Sequence, residues 1–443
     1  MYASKKGHGE VVKMLLQRKQ VSPDQPDDCG RAALLYAAAH GHEEVVKILL
    51  ERGEVNPDKP NNRGQTPLSH AAYGGHEGVV EILLRREEVN PDKPCNKERT
   101  PLSYAAQLGH EEVVKILLQR ERVSPDEPDD WDGTPLAYAA EFGHEEVVKI
   151  LLERGEVNLN KLDSHGRTPL SYAAGGAHEG VVKILLGHGE TSPDQPDNRG
   201  KTPLGYAAAG GHEGVVKALL EREEVGLQYS GPTPLWFAVN NGRTGIVKLL
   251  LGRPDIHPDI GDRYIPGEAL LWEAARYGYE GVVNMLLERG TVNPDEPGFD
   301  GITIGITPLA CAAREGHEEI VRILLARDEV SPDKPDENDQ TPLWHAARNG
   351  HEEIVQMLLA RDEVNPDKPD FGGKTPLQTA AWGGHEGVVK ILLGREEVNP
   401  DNADCHGRTP LSSAIAKGHE GVVKILREVR EINLKKSNSL NDR

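Results

Sequence analysis

Aromatic side chains are scarce in this 443-residue sequence: four Phe, eleven Tyr and five Trp, 5% in all. One large core leans on such residues, whereas thin stacked layers fill with Leu, Val, Ile and Ala. At this length the choices are several domains or a repeat array. Cysteine is rarer still. Cys29, Cys95, Cys311 and Cys405 show no CxxC spacing, which excludes a disulfide framework and a zinc-site spacing and points to a reducing compartment. No apolar run approaches the ~18 residues that span a bilayer, and Met1 to Lys6 contains no apolar signal segment. Positive charge is short as well: 51 Lys and Arg face 71 Asp and Glu, a net charge of −20, where a general phosphate-backbone binder carries a basic face. The expectation is an intracellular protein, cytoplasmic or nuclear, with no membrane segment and no nucleic-acid partner.

What the chain does have is self-similarity. Histidines recur at His8, His42, His76, His110, His144, His178 and His212 in steps of 34 residues, and again at His317, His351, His385 and His419. Between the two series Arg243 and Tyr279 hold the slot, at steps of 31, 36 and 38. Eight residues before each slot from His42 onward stands a Leu, and ten of these twelve Leu follow Thr-Pro; the exceptions follow Ala32-Ala33 and Ala269-Leu270.

One unit, from Gly64, shows the logic. Thr66-Pro67 predicts a helix start, because Thr caps free amides and Pro fits the first turn. Leu68, Ala71 and Ala72 make a short helix that a neighbouring layer can approach closely. Gly74-Gly75 stops it. A second helix opens at His76-Glu77 and carries Val79, Val80, Ile82, Leu83 and Leu84, an apolar set wider than one stripe, as between two layers. Val89-Asn90-Pro91-Asp92-Lys93-Pro94 cannot be helical and predicts a connecting turn.

At Thr66-Pro67-Leu68, Ala71-Ala72 and Gly75-His76 the chain resembles ankyrin repeats, whose core reads T-P-L-H-x-A. The resemblance covers essentially the whole chain. The Trp, Gly and Tyr signature of tetratricopeptide repeats is missing. Two features depart from the family. Its His after Leu is replaced by Ser69, Ser103, Ser171, Ala137, Gly205 or Trp236, and the connection carries a recurring Asn-Pro-Asp-x-Pro (Asn56 to Pro60, Asn365 to Pro369). This dialect resembles multi-ankyrin arrays of filamentous fungi, such as those C-terminal to NACHT domains in NLR-like receptors. The resemblance implies an all-α solenoid of helix-turn-helix units with β-turn and loop connections, binding a peptide or protein partner along a concave face built from the first helices and loop tips.

The expected organisation is a partial repeat at 1–26, regular repeats at 27–227, irregular ones at 228–302, regular ones with a C-terminal cap at 303–434, and a disordered tail at 435–443. Because Met1 aligns inside a first helix, the chain reads as a piece of a longer protein. The irregular stretch lacks one connection at Glu224 to Gly231 and gains an insertion, Ile302-Thr303-Ile304-Gly305. Eight of the twenty aromatics fall in it: Tyr229, Trp236, Phe237, Tyr264, Trp272, Tyr277, Tyr279 and Phe299. Two readings fit: a binding centre anchored by aromatics, or decayed repeats repacked with larger residues.

Catalytic and metal chemistry finds little support. Histidines one layer apart stand ~10 Å from each other on packed-helix spacing, too far to share a zinc bound at ~2 Å. Glu43-Glu44 and Glu111-Glu112 recur as helix-start charges. Asp129-Asp130-Trp131-Asp132-Gly133 hints at a calcium loop without the distal Glu such a loop needs. There is neither a phosphate-binding G-x-x-x-x-G-K-[ST] nor a G-x-S-x-G. A monomeric binding module without cofactor or metal is therefore expected, not an enzyme. Its partner contacts are assigned to slots that vary between repeats: Tyr73, Leu108, Trp131, Phe142, Trp236, Trp272, Arg276, Tyr277, Arg314, Arg348, Phe371 and Trp382. Arg and aromatic side chains dominate this set, as they do at interface hot spots.

Overall fold

The structure, a computed structural model, describes residues 1–18, 20–222, 225, 232–253, 256, 270–299 and 304–441. Tyr229 and Tyr264 lie outside the described residues. Two compact units divide the chain, Met1–Gln228 and Tyr229–Arg443.

In the first unit each repeat is a pair of short helices, for example Pro67–Tyr73 with Glu77–Leu84 and Pro101–Gln107 with Glu111–Leu118. Helices of seven or eight residues are marginal alone, so neighbouring layers must hold them. First helices pack on first helices and second on second, burying Leu68, Ala71, Ala72, Val79, Val80 and Leu83 completely. The Thr-Pro start behaves as the sequence predicts. Thr66 Oγ1 accepts from the Ser69 amide at 3.1 Å and Pro67 occupies the first turn. Ser69 and Ser412 also return their hydroxyls to the backbone amides of Thr66 and Thr409, so a reciprocal cap replaces the family's His at these positions. Removing such a cap costs ~1 kcal/mol.

Among the bonds that join successive repeats, three kinds explain the motifs. The slot histidine donates Nε2–H to a carbonyl at the end of the preceding first helix, as His110 does to Tyr73 at 3.0 Å and His144 to Gln107 at 2.9 Å. The glycine before it, at φ +68 for Gly75, leaves room for the next ring, since a Cβ there would stand 2.7 Å from His110 Nδ1. An arginine serves the second-helix layer in the same way: Arg154 Nη1 donates to Leu118 O at 2.6 Å, and Arg86 reaches Leu50 O. Carbonyls left over at helix ends are thus answered from the adjacent repeat. In the connections, Asn-Pro-Asp-x-Pro makes a ladder. Asp92 Oδ2 accepts from the Ser124 amide at 3.0 Å, and Lys93 Nζ donates to Asp58 O and Oδ2, both at 3.0 Å.

The second unit repeats this plan. Helix Leu270–Arg276 pairs with Glu280–Glu288, and Pro342–Asn349 with Glu352–Leu359. His317, His351, His385 and His419 donate to Arg276, Arg314, Arg348 and Trp382 carbonyls at 2.9–3.1 Å. Where the slot holds Tyr279, its ring fills the space above Gly242. Part of the insertion has a visible role: Gly298–Phe299 pairs antiparallel with Ile304–Ile306, and Ile306 is buried with Trp272, Ala310 and Cys311. The backbone of the last helix, Glu420–Asn441, continues through most of the tail that was expected to be disordered. The reason is local: the segment after Arg427 contains neither Gly nor Pro and many good helix formers.

One repeat breaks the glycine rule. Ala177 occupies the slot at φ +63, a conformation that costs an L-residue roughly 1 kcal/mol or more. Ala177→Gly is expected to raise stability by about 1 kcal/mol, and Gly75→Ala to lower it by at least as much. Urea-unfolding midpoints of the two variants check both signs.

Candidate functional site

The first helices carry, at their ends and in the loops before them, a framework that is already fixed. In the first unit an aspartate in four of the loops accepts hydrogen bonds from its own turn and from the helix that follows, while Asn61 and Cys95 hold the position in the other two. Asp163 Oδ1 takes the amides of His165 and Arg167 at 2.9 and 2.7 Å, while Oδ2 takes Tyr172 Oη at 2.7 Å and Arg167 Nε at 2.9 Å. The Arg167 guanidinium then lies 4.4 Å from the Tyr172 ring centroid. Asp27 with Tyr36 and Arg31, and Asp197 with Tyr206 and Lys201, repeat the pattern. Asp129 does the same with Tyr138, taking the Trp131 and Gly133 amides on its other oxygen, so the apparent calcium loop is a latch. In the second unit His345 replaces Tyr and donates to Asp336 at 3.1 Å.

These latches shift the ionisation of their members. Burial works against charge on Asp163, but the Arg167 amide, the Tyr172 hydroxyl and the Arg167 charge outweigh it and hold the carboxyl below its ordinary range. Tyr172 and Tyr206 move the other way, pushed up by burial and by donating to a carboxylate. The connection aspartates Asp58, Asp92, Asp333 and Asp367 are also pushed up, chiefly by burial. Their effect on stability is opposite to that of Asp163, being lost as pH rises through the folded-state pKa.

Nine of the twelve expected contact residues fall into three groups. Tyr73, Leu108 and Phe142 are exposed at the C-ends of three successive first helices, and Tyr277 at the end of another. Trp131 and Phe371 stand out from loops, Phe371 with 85% of its surface exposed. Arg276 and Arg314 are half-buried. Arg276 lies over both Trp272 and Tyr277, at 5.3 and 5.5 Å from the ring centroids, and Arg314 pairs with Glu315 at 2.9 Å. Trp236 is half-buried, edge-on to Phe237.

Trp272 is a correction. It is fully buried against Ile306, Ala310 and Cys311, and a Cβ on Gly298 would stand 2.2 Å from its ring. It occupies the third helical slot, where Ser69, Ser103 and Ser171 are also buried, and here the neighbouring Ile306, Ala310, Cys311 and Gly298 close the indole into the stack, away from any partner.

Arg348 and Trp382 are brought together. They line one cavity of about 460 Å³ beside helices Pro342–Asn349, Pro376–Gly383 and Pro410–Lys417. Trp344, Lys374, Gln378, Arg408 and Lys417 share its wall, and sequence reasoning missed all five. A usable signal was present in Trp344, which holds the third helical slot where seven other repeats carry Ser, Ala or Gly.

The family model for ankyrin repeats (three copies) matches overlapping stretches that together span residues 1–262 and 271–437. The chain belongs to the ankyrin-repeat family. Among solved structures it is similar to the human ASB11 ankyrin repeat domain, at 28% identity and a TM-score of 0.45, covering 50% of this chain and 96% of that one. No curated protein matches it. The ankyrin fold generally serves as a protein-interaction scaffold, and the exposed aromatics of this array lie on its first-helix side.

The latch makes a prediction about acid. A lowered folded-state pKa contributes stability above the ordinary carboxylate value of ~3.9, which is lost as pH falls below it. Asp163→Asn is expected to lower stability at pH 7 by about 1.5–3 kcal/mol, the range for hydrogen bonds to a charged group. The gap to the parent protein should narrow as pH falls below ~4. Urea titrations at pH 7 and pH 3 measure it.

Proposed function

We propose that this protein is a binding module that holds a peptide or protein partner along the face formed by its first helices and the loops before them. The observation that carries the reading is the row of exposed aromatic and aliphatic side chains at the ends of first helices: Tyr73, Leu108 and Phe142 in one unit, Tyr277 and Trp382 in the other. Each stands at or next to a carbonyl held by the slot histidine of the following repeat. Binding then orders little beyond the side chains themselves, which favours affinity from a few anchors.

The aspartates and tyrosines that the fold clusters in the loops and first helices of this face are engaged in structural hydrogen bonds, which supports recognition over catalysis. Four free thiols, two of them exposed, support a reducing, intracellular location. The resemblance to arrays that follow NACHT domains supports a narrower reading, in which the module is the sensor segment of a larger signalling protein.

Affinity capture with cross-linking tests the proposal. Two face variants, Tyr73→Ala with Phe142→Ala and Tyr277→Ala with Trp382→Ala, are compared with a second-helix control, Glu111→Ala with Glu145→Ala. At least one face variant should lose the captured partner, with a hot-spot cost of ~2 kcal/mol or more per anchor, about thirtyfold in Kd. The control should keep it. An unchanged partner set across all variants contradicts the reading.

A further inference from the structure

The cavity beside Trp344 and Trp382 is lined by residues with buried polar atoms that the fold leaves unanswered. Trp344 is only 2% exposed, and its Nε1–H has no acceptor. Gln378, equally buried, donates its amide nitrogen to Arg408 O at 2.8 Å and Ser413 Oγ at 3.3 Å, while its Oε1 receives nothing. Buried polar atoms without partners are costly and uncommon. One missing acceptor and one missing donor in the same wall describe a ligand that offers both.

Charge narrows the chemistry. Arg348, Lys374, Arg408 and Lys417 line the cavity against a single acid, Asp404, in a chain of net charge −20. Asp404 is already engaged. Arg408 Nε and Nη2 both reach its Oδ2 at 2.8 Å, and the His406 and Arg408 amides reach its Oδ1 at 2.9 Å. Arg348, Lys374 and Lys417 have no carboxylate partner among the described residues. Two of these cations are held over indoles: Arg348 Cζ lies 5.2 Å from the Trp344 ring centroid and Lys417 Nζ 4.4 Å from that of Trp382. Such contacts position a cation while leaving its N–H groups free for an anion.

We infer that this cavity receives the carboxylate of an acidic peptide segment, a Glu or Asp side chain carried next to an apolar residue of a partner protein. The inference rests on the first-helix face being the recognition surface. The carboxylate accepts charge-assisted bonds from the cations and from Trp344 Nε1–H, the apolar neighbour covers the exposed indole of Trp382, and a peptide N–H supplies the donor for Gln378 Oε1. A volume of about 460 Å³ suits one such side chain with a short length of backbone. A nucleic acid fits less well, because its phosphates need cations spread along a track, whereas these converge on one cavity.

The test uses the full chain and fluorescein-labelled dodecapeptides, acetylated and amidated, with Leu at fixed positions and Glu, Gln or Lys at the others. Anisotropy titrations should show binding of the Glu peptide, affinity at least about tenfold weaker for the Gln peptide, and none for the Lys peptide. Arg348→Glu with Lys417→Glu should weaken the Glu peptide by at least about tenfold, whereas Lys417→Arg should retain it. Lys374→Gln gives a second reading should the double variant lose its circular dichroism spectrum. Equal binding of the three peptides, or no loss in either weakened variant, overturns the inference. So does tighter binding of a twelve-nucleotide oligo-dT. Failure of the Glu peptide to bind at all also overturns it, while partner capture through Tyr73, Phe142 or Tyr277 would still uphold the broader function.

Discussion

A hydrogen bond from one histidine to a backbone carbonyl 37 residues earlier governs this molecule. Helices of seven or eight residues end almost as soon as they begin, so a large share of their carbonyls have no partner within the helix. Water cannot reach all of them once layers stack. The slot histidine answers the first-helix layer, an arginine answers the second-helix layer, and the Asn-Pro-Asp-x-Pro ladder answers the connections. Each device reaches only to the adjacent repeat. Stability is therefore built from repeat and interface terms between neighbours, and the loss of one bond is felt locally.

That arrangement frees other positions for recognition. The slots that build a layer cannot vary without breaking a bond or a packing contact, whereas the ends of the first helices can. In the first unit, Tyr73, Leu108 and Phe142 use that freedom to present apolar surface. In the second, the third helical slot admits Trp344, and the layer opens enough for a cavity between its indole and that of Trp382. The aspartate latches fix the loops before binding, so this face is held rigidly enough to discriminate between ligands.

Much of this was legible in the sequence, because its signals are local and repeated. Thr-Pro-Leu, Gly-His and the 34-residue step are each decided within a few residues, and a dozen copies remove chance. What was not legible depends on contacts between repeats. The His role is invisible in one unit because its acceptor belongs to the previous one, and Asn-Pro-Asp-x-Pro looks like a bare loop until its partner, some 32 to 35 residues away, is in view. Trp272 was misplaced for the same reason: being aromatic marked it as an anchor, but the neighbours around its slot decided its burial. Trp344, in the same slot of a later repeat, was overlooked. Lys374, Arg408 and Lys417 carry no local signal, since only stacking brings them, from two repeats, to one cavity with Arg348 of a third. Tyr229 and Tyr264, counted in the aromatic-rich stretch, lie outside the described residues.

The central claim is that recognition occurs on the first-helix face. Hydrogen exchange on the protein with and without its captured partner tests it most directly. Binding should slow exchange in first-helix segments such as Pro67–Tyr73, Pro135–Glu141 or Pro376–Gly383 and in the loops before them, leaving Glu77–Leu84, Glu145–Leu152 and Glu386–Leu393 unchanged. Protection confined to the second helices would contradict the account.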